Sequence, residues 1–387
     1  MHLADSMSRL GTESAFKILA KAKAMEAAGR DIINLGIGAP DFRTPDNIVE
    51  AGKKAMDDGF HFYTPAKGLP PLREAVANDI QKYRGVTVDP ENVMVVPGGK
   101  PTMFFAIMMF GEPGAEILYP NPGFPIYESV IKFSGATPVP IPLLEEQNFS
   151  FDADAVLELI TDKTRLMIIN SPANPTGGTI AKAEIDKLIA GLEKYPHVAI
   201  MSDEIYARMN YDGVEHVSLL TYPQIADRLI LLDGWSKTYA MTGWRMGYGV
   251  WPESVIEGAT RLSVNCHSCV NASAQFAGIA ALEGPQDQVD VMMKAFDERR
   301  HVIVKGLNTL PGVSCRMPGG AFYAFPNITD TGMDSATIQK RMLEEAGVAV
   351  IAGTSFGAYG EGYVRFSYAN SVENIETALD RVARLLG

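Results

Sequence analysis

The chain has 387 residues, 47% of them apolar and 21% charged, an ordinary globular mix that can bury a sizeable core. Its formal charge of −12 removes the basic face that a nucleic-acid binder needs to neutralise phosphates. Three cysteines cannot build a disulfide framework, and no apolar run approaches the roughly 20 residues of a membrane span. The polar stretch Met1 to Gly11 has no signal-peptide core, so a cytoplasmic location is expected.

Along the chain, amphipathic stretches alternate with short apolar runs. Thr44–Asp58, Leu72–Arg84 and Lys182–Lys194 read as helices, with Thr44 expected to cap the first ahead of Pro45. Val93–Val96, Ile117–Tyr119, Leu166–Asn170, Val198–Asp203 and Leu229–Asp233 read as buried strands of a mainly parallel sheet. The pattern changes after residue 284. A long polar helix from Gln286 to about Leu310 precedes short strands near Ala321–Phe325 and Tyr363–Ser367, and Ser371 is placed to cap the last helix. An α/β fold with a smaller α+β layer is the expectation.

Three strand ends carry the chemistry. Leu166–Asn170 runs into Ser171-Pro172-Ala173-Asn174-Pro175-Thr176-Gly177, Val198–Ser202 into Asp203-Glu204-Ile205-Tyr206, and Leu229–Leu232 into Asp233-Gly234-Trp235-Ser236-Lys237. Ligands of open parallel sheets bind beyond the carboxyl ends of strands, so Asn174, Asp203, Tyr206 and Lys237 converge on one edge. Lys237 stands among Gly234, Trp235, Tyr239 and Trp244, and reads either as a desolvated, neutral amine able to attack a carbonyl or as a lysine snorkelling from a strand end. Asp203 reads either as a loop cap or as an anion that keeps a ring nitrogen protonated. Arg245, between glycines and aromatics, and Gly98-Gly99-Lys100 at the start of the Pro101–Phe110 helix both suit an anion. Arg365 is an arginine inside an apolar strand and needs an anionic partner.

In this order and spacing the segments resemble the class I and II aminotransferases, pyridoxal-phosphate enzymes of fold type I. The likeness runs from Asn34–Phe42 to Tyr363–Ala369 and is most specific at Ser171–Gly177, Ser202–Tyr206 and Ser236–Gly247. It implies a mostly parallel seven-stranded sheet in a large cofactor-binding domain over 46–284. A small domain would unite 1–45 with 285–387. By the same resemblance Lys237 holds pyridoxal 5′-phosphate covalently and shuttles a proton, Asp203 pairs with the ring nitrogen, and Asn174 and Tyr206 bind the ring oxygen. Phe124 would stack on the ring, and Gly99, Lys100, Ser236 and Arg245 would hold the phosphate. Tyr63 would reach the phosphate of a neighbouring subunit, implying a homodimer with shared sites. Arg365, with Gly38 and Asn174 beside it, would clamp the substrate α-carboxylate.

The resemblance therefore implies transfer of an amino group between an L-amino acid and a 2-oxo acid. One pair would be glutamate and 2-oxoglutarate, and the other aspartate or an aromatic or apolar amino acid. Phe16 suggests an apolar side-chain pocket, whereas Lys100 suggests a reader of a distal carboxylate. Alternatives are a carbon–sulfur β-lyase or decarboxylase of the same fold, or a regulator that binds the cofactor without turnover. Gly36-Ile37-Gly38 lacks the third glycine of a dinucleotide fingerprint, and Pro101 stands where a P-loop needs a hydroxyl. Cys266-His267-Ser268-Cys269 has metal or redox spacing but no second ligand cluster, so no metal is expected, and His267 stays a candidate substrate contact.

Overall fold

The computed structural model describes residues 1–387. Its centre is a seven-stranded sheet built from β1 (Val93–Val96), β2 (Glu116–Asn121), β3 (Thr137–Pro142), β4 (Thr164–Asn170), β5 (Ala199–Asp203), β6 (Leu229–Gly234) and β7 (Gly247–Val250). The spatial order is β1-β7-β6-β5-β4-β2-β3. β7 runs antiparallel to both β1 and β6, and every other pairing is parallel. The fold is thus α/β with one reversed strand. Residues of β1, β5 and β6 such as Val95, Ile200, Ile230 and Leu231 are wholly buried because helices cover both faces.

β4, β5 and β6 are neighbours, so their carboxyl ends open side by side. Asn170 ties two of these ends together. Its amide donates to the Asp203 carbonyl at 3.0 Å, and its side-chain oxygen accepts the Asn174 backbone N–H at 3.0 Å. Below the ends lies a buried charge network. Arg84 donates to Glu204 at 3.0 Å and to Asp233 at 2.5 Å. Burial works against the charge of Glu204, but His216 and Arg84 outweigh it and hold that carboxyl at about 2.

The C-terminal part adds a three-stranded antiparallel sheet of β8 (Tyr323–Ala324), β9 (Ile351–Ala352) and β10 (Val364–Ser367), with β10 in the middle. A helix over Asp287–Leu307 packs on the last helix, Val372–Leu386, whose apolar stripe of Ile375, Ala378, Leu379 and Val382 is buried. The N-terminal helix α1 (Ser14–Ala27) belongs with this layer, as Ala22 packs on Leu343 and Ala349. No helix is long and apolar enough to cross a membrane.

Several sequence expectations shift. The Thr44 hydroxyl donates to the Ala240 carbonyl at 2.8 Å and accepts from the Trp244 indole, so it does not cap the helix that begins at Asp46. The run Ala321–Phe325 yields only a two-residue strand, because Ala321 takes a positive φ of 56° that breaks the extended backbone. β3 went unread because its sequence, Thr137-Pro138-Val139-Pro140-Ile141-Pro142, holds three prolines. Such a strand is tolerated only at an edge, where it lies.

Candidate active site

A cavity of about 530 Å³ opens beyond the ends of β4, β5 and β6, between the large sheet, the three-stranded sheet and α1. Gly38, Gly99, Lys100, Phe124, Asn174 and Asp203 line it, as do Tyr206, Ser236, Lys237, Arg245 and Arg365. These eleven residues come from eight separate stretches of chain. Tyr63 is not among them. It projects from the surface at 92% exposure, next to Phe62 at 84%.

Lys237 is the central group. The turn after β6 carries it inward, where its amine donates to the Gly38 carbonyl and lies over the rings of Tyr206 and Phe322 at 5.7 and 5.6 Å. Burial, reinforced by the positive charges of Arg365 and Arg245, draws its pKa down to about 7. The amine is therefore substantially neutral at neutral pH and can attack a carbonyl carbon.

Asp203 lies at the floor and is 5% exposed. It accepts from the Tyr127 hydroxyl at 2.7 Å and from the Ile205 N–H at 3.2 Å. Burial nonetheless pushes the carboxyl up to about 6, since these neutral donors do not replace a counter-ion. Phe124 stands above, its ring set edge-on to Tyr127 at 5.8 Å. Tyr206 shares a 2.7 Å hydrogen bond with Tyr323.

One end of the cavity is cationic. Helix α2 (Lys100–Phe110) starts here with Gly99 at its N-cap and no side-chain cap, so the positive end of the helix dipole lies at the cavity wall. Arg245 leans over Gly98, whose φ is 82° and where a side chain's first carbon would lie 2.2 Å from the guanidinium. Only glycine leaves that space. At the opposite end Arg365 on β10 is 3% exposed with no acidic partner, and its Nε–H has no partner at all. It donates to Asn174 at 2.8 Å and to the Gly36 carbonyl at 2.6 Å, and the rings of Tyr323 and Phe356 flank it. A buried guanidinium held by neutral groups alone has the charge and the free donor that could receive a small carboxylate.

Among the lining residues that escaped the sequence reading are Glu13, Tyr127 and Tyr323. Tyr127 stands one helical turn after Phe124, and that spacing is the signal that could have found it. Glu13 and Tyr323 meet their partners only through the fold. His267 lies elsewhere in this chain, stacked on Phe105 at 6.0 Å and near Ser263 at 3.2 Å, and is not a wall of the cavity. Cys266, Cys269 and Cys315 are all free thiols.

These features fit pyridoxal phosphate: a dehydrated amine, a buried carboxylate lacking a cation, an aromatic face and a helix-start anion seat around one cavity. With the reversed strand in the sheet, they define a fold-type-I pyridoxal-phosphate enzyme. Residues 30–382 match the family model for aminotransferase class I and II. The chain is 43% identical to an aspartate aminotransferase of Pyrococcus horikoshii, with 92% of this chain and 91% of that protein covered. It is 37% identical to aromatic-amino-acid aminotransferase 2 of Thermococcus litoralis, over 100% and 98% of the two chains. Its fold superposes on the aspartate aminotransferase from Thermus thermophilus with maleate at a TM-score of 0.94, with 33% identity and full coverage of both chains. The chain belongs to the class I and II aminotransferases and is a pyridoxal-phosphate-dependent transaminase.

Proposed function

We propose that this cavity moves an amino group between glutamate or 2-oxoglutarate and a second amino acid, either aspartate or one with an aromatic or apolar side chain. When bound, pyridoxal phosphate supplies a protonated ring that accepts the electron pair left on the substrate α-carbon. The amine of Lys237 would hold the cofactor and, once displaced from it by the substrate's amino group, would serve as the general base and acid that moves the substrate α-proton. Asp203 keeps the ring nitrogen charged, and Tyr127 holds that carboxylate in place. Asn174 and Tyr206 bind the ring oxygen, and Phe124 covers the ring face. Gly99, Ser236 and Arg245 seat the phosphate, and Lys100, of the two roles the sequence offered it, takes the substrate side chain, since its amine lies on Glu13 and against Phe16 and Phe124. Tyr63 completes that seat in a second copy of the chain, so the working form is a homodimer. Arg365, with Gly38 and Asn174, binds the α-carboxylate and so sets the α-proton toward Lys237.

The observation that carries this reading is that the Lys237 amine, at the end of a central strand, shares one cavity with the buried Asp203 carboxylate and with a buried Arg365 guanidinium that has no acidic partner. Phe16, Ile37 and Ile351 give the side-chain end apolar walls, and Lys100 gives it one cation, which together support the paired substrate classes. Free thiols at all three cysteines support a reducing cytoplasm. The test is incubation of the holoenzyme with L-aspartate or L-phenylalanine and 2-oxoglutarate. Glutamate and the matching 2-oxo acid should form in equal amounts, and Lys237→Ala should form neither. Pyruvate and ammonia without an acceptor would instead identify a lyase, and no product at all a regulator.

A further inference from the structure

The cavity is lined by four basic side chains, Lys100, Lys237, Arg245 and Arg365, and two acids, Asp203 and Glu13. Five of these have roles above. Glu13 has none. It precedes α1 in the N-cap position and makes no capping bond, which leaves its carboxylate free for another partner. Its carboxylate instead forms an ion pair with Lys100, 87 residues away. The Glu13 side chain is 13% exposed and that of Lys100 43%, so the acid is the more firmly enclosed member. One turn further on, Phe16 places its ring 5.6 Å from the Lys100 amine, and Phe124 faces the same amine at 5.4 Å. The first turn of α1 thus brings to one lysine both a counter-ion and an aromatic wall.

A ping-pong transaminase that serves two substrate classes must receive a charged and an uncharged side chain in the same place. A cation left unpaired beside an apolar side chain is costly, and a cation already neutralised reads a carboxylate poorly. Glu13 resolves this conflict if its pairing depends on the substrate. Resting on the transamination reading above, we propose that Glu13 is the exchangeable counter-ion of Lys100 and a specificity-determining residue of this enzyme. An apolar substrate leaves the pair closed. A distal carboxylate displaces Glu13 and takes its place on Lys100. Glu13, Arg365 and Lys237 line the same cavity, so the exchange takes place beside the reacting groups.

The test uses holoenzyme and follows the donor half-reaction alone, so that the acceptor does not enter the measurement. The ratio of kcat/KM for aspartate over phenylalanine is measured for wild type, Glu13→Gln and the double variant Glu13→Gln/Lys100→Met. Maleate affinity is measured beside it. Glu13→Gln should raise the ratio about fivefold, the size expected of removing one partly exposed competing charge. Aspartate should gain, phenylalanine should lose, and maleate should bind more tightly. The double variant should cancel the gain for both dicarboxylates. An unchanged ratio, or equal losses for both donors, would overturn the proposal while leaving transamination intact. Failure of the wild type to transfer from any donor would remove the underlying reading, and this inference with it.

Discussion

Arg365 donates to the side-chain oxygen of Asn174 at 2.8 Å, a bond that joins the middle strand of the three-stranded sheet to the loop after β4. The same guanidinium has a buried Nε–H without a partner. One residue thereby couples the two layers and keeps a donor free for a ligand. Arg365→Ala should weaken binding of amino and 2-oxo acids by on the order of 2–5 kcal/mol, the range for a buried charge pair losing one member. The effect should appear mainly as a raised KM in steady-state kinetics. An unchanged KM would assign the arginine to architecture alone.

Capture of the cofactor by apoprotein should follow the titration of Lys237. A lysine drawn down to about 7 is mostly protonated at pH 6 and mostly neutral at pH 8. The rate constant for pyridoxal-phosphate uptake, read from the visible absorbance of the product, should rise across that interval and then level off. An ordinary lysine would keep gaining rate toward its usual value of about 10.4. A profile still climbing at pH 9.5 would refute the shifted amine.

Gly38 touches the tyrosine pair. A side-chain carbon there would lie 2.3 Å from the Tyr323 hydroxyl, which Tyr206 holds at 2.7 Å. Gly38→Ala must therefore move Tyr323 or the strap that supplies the Lys237 carbonyl partner. We expect kcat/KM to fall by about 100-fold, a loss typical of ångström-scale misplacement at a reacting centre, with the unfolding midpoint changed little. Full activity in this variant would show that the tyrosine pair is free to yield.

Arg84→Met probes the network beneath the site. The substitution leaves Glu204 and Asp233, at 1% and 13% side-chain exposure, without their shared cation. Removing one partner from such a group should cost about 3–5 kcal/mol in urea unfolding, largest near neutral pH. The Glu204 carboxyl is held near 2, below its unfolded value of 4.5, so its share of stability is present above pH 4.5 and fades as the pH falls toward 2. The gap between variant and wild type should narrow over that window. A gap independent of pH would mean that packing, not charge, sets the loss.

The edge that gathers the candidate site was legible because its polar residues stand at the ends of apolar runs. Asn174, Asp203 and Lys237 each follow a buried strand, and adjacency of β4, β5 and β6 then brings them together. β7 was not legible at all, since its four residues, Gly247-Tyr248-Gly249-Val250, include two glycines, a residue depleted in strands. Thr44 shows a local rule losing to a distant one: its hydroxyl bonds Ala240, 196 residues away, instead of the helix it precedes. Glu13 and Tyr323 are hidden for a similar reason. Their partners lie 87 and 117 residues away, beyond any periodicity.

The proline-rich strand at the sheet margin has a consequence of its own. Thr137 and Leu143 turn their N–H groups inward to the carbonyls of Ala115 and Asn121. By alternation, the outward-facing amides of β3 would belong to positions 138, 140 and 142, and all three are proline. The rim of the sheet therefore offers no N–H there onto which a stray strand could zip. Newly made chains meeting at high concentration are denied that template, and self-association is steered away from fibre-like stacking.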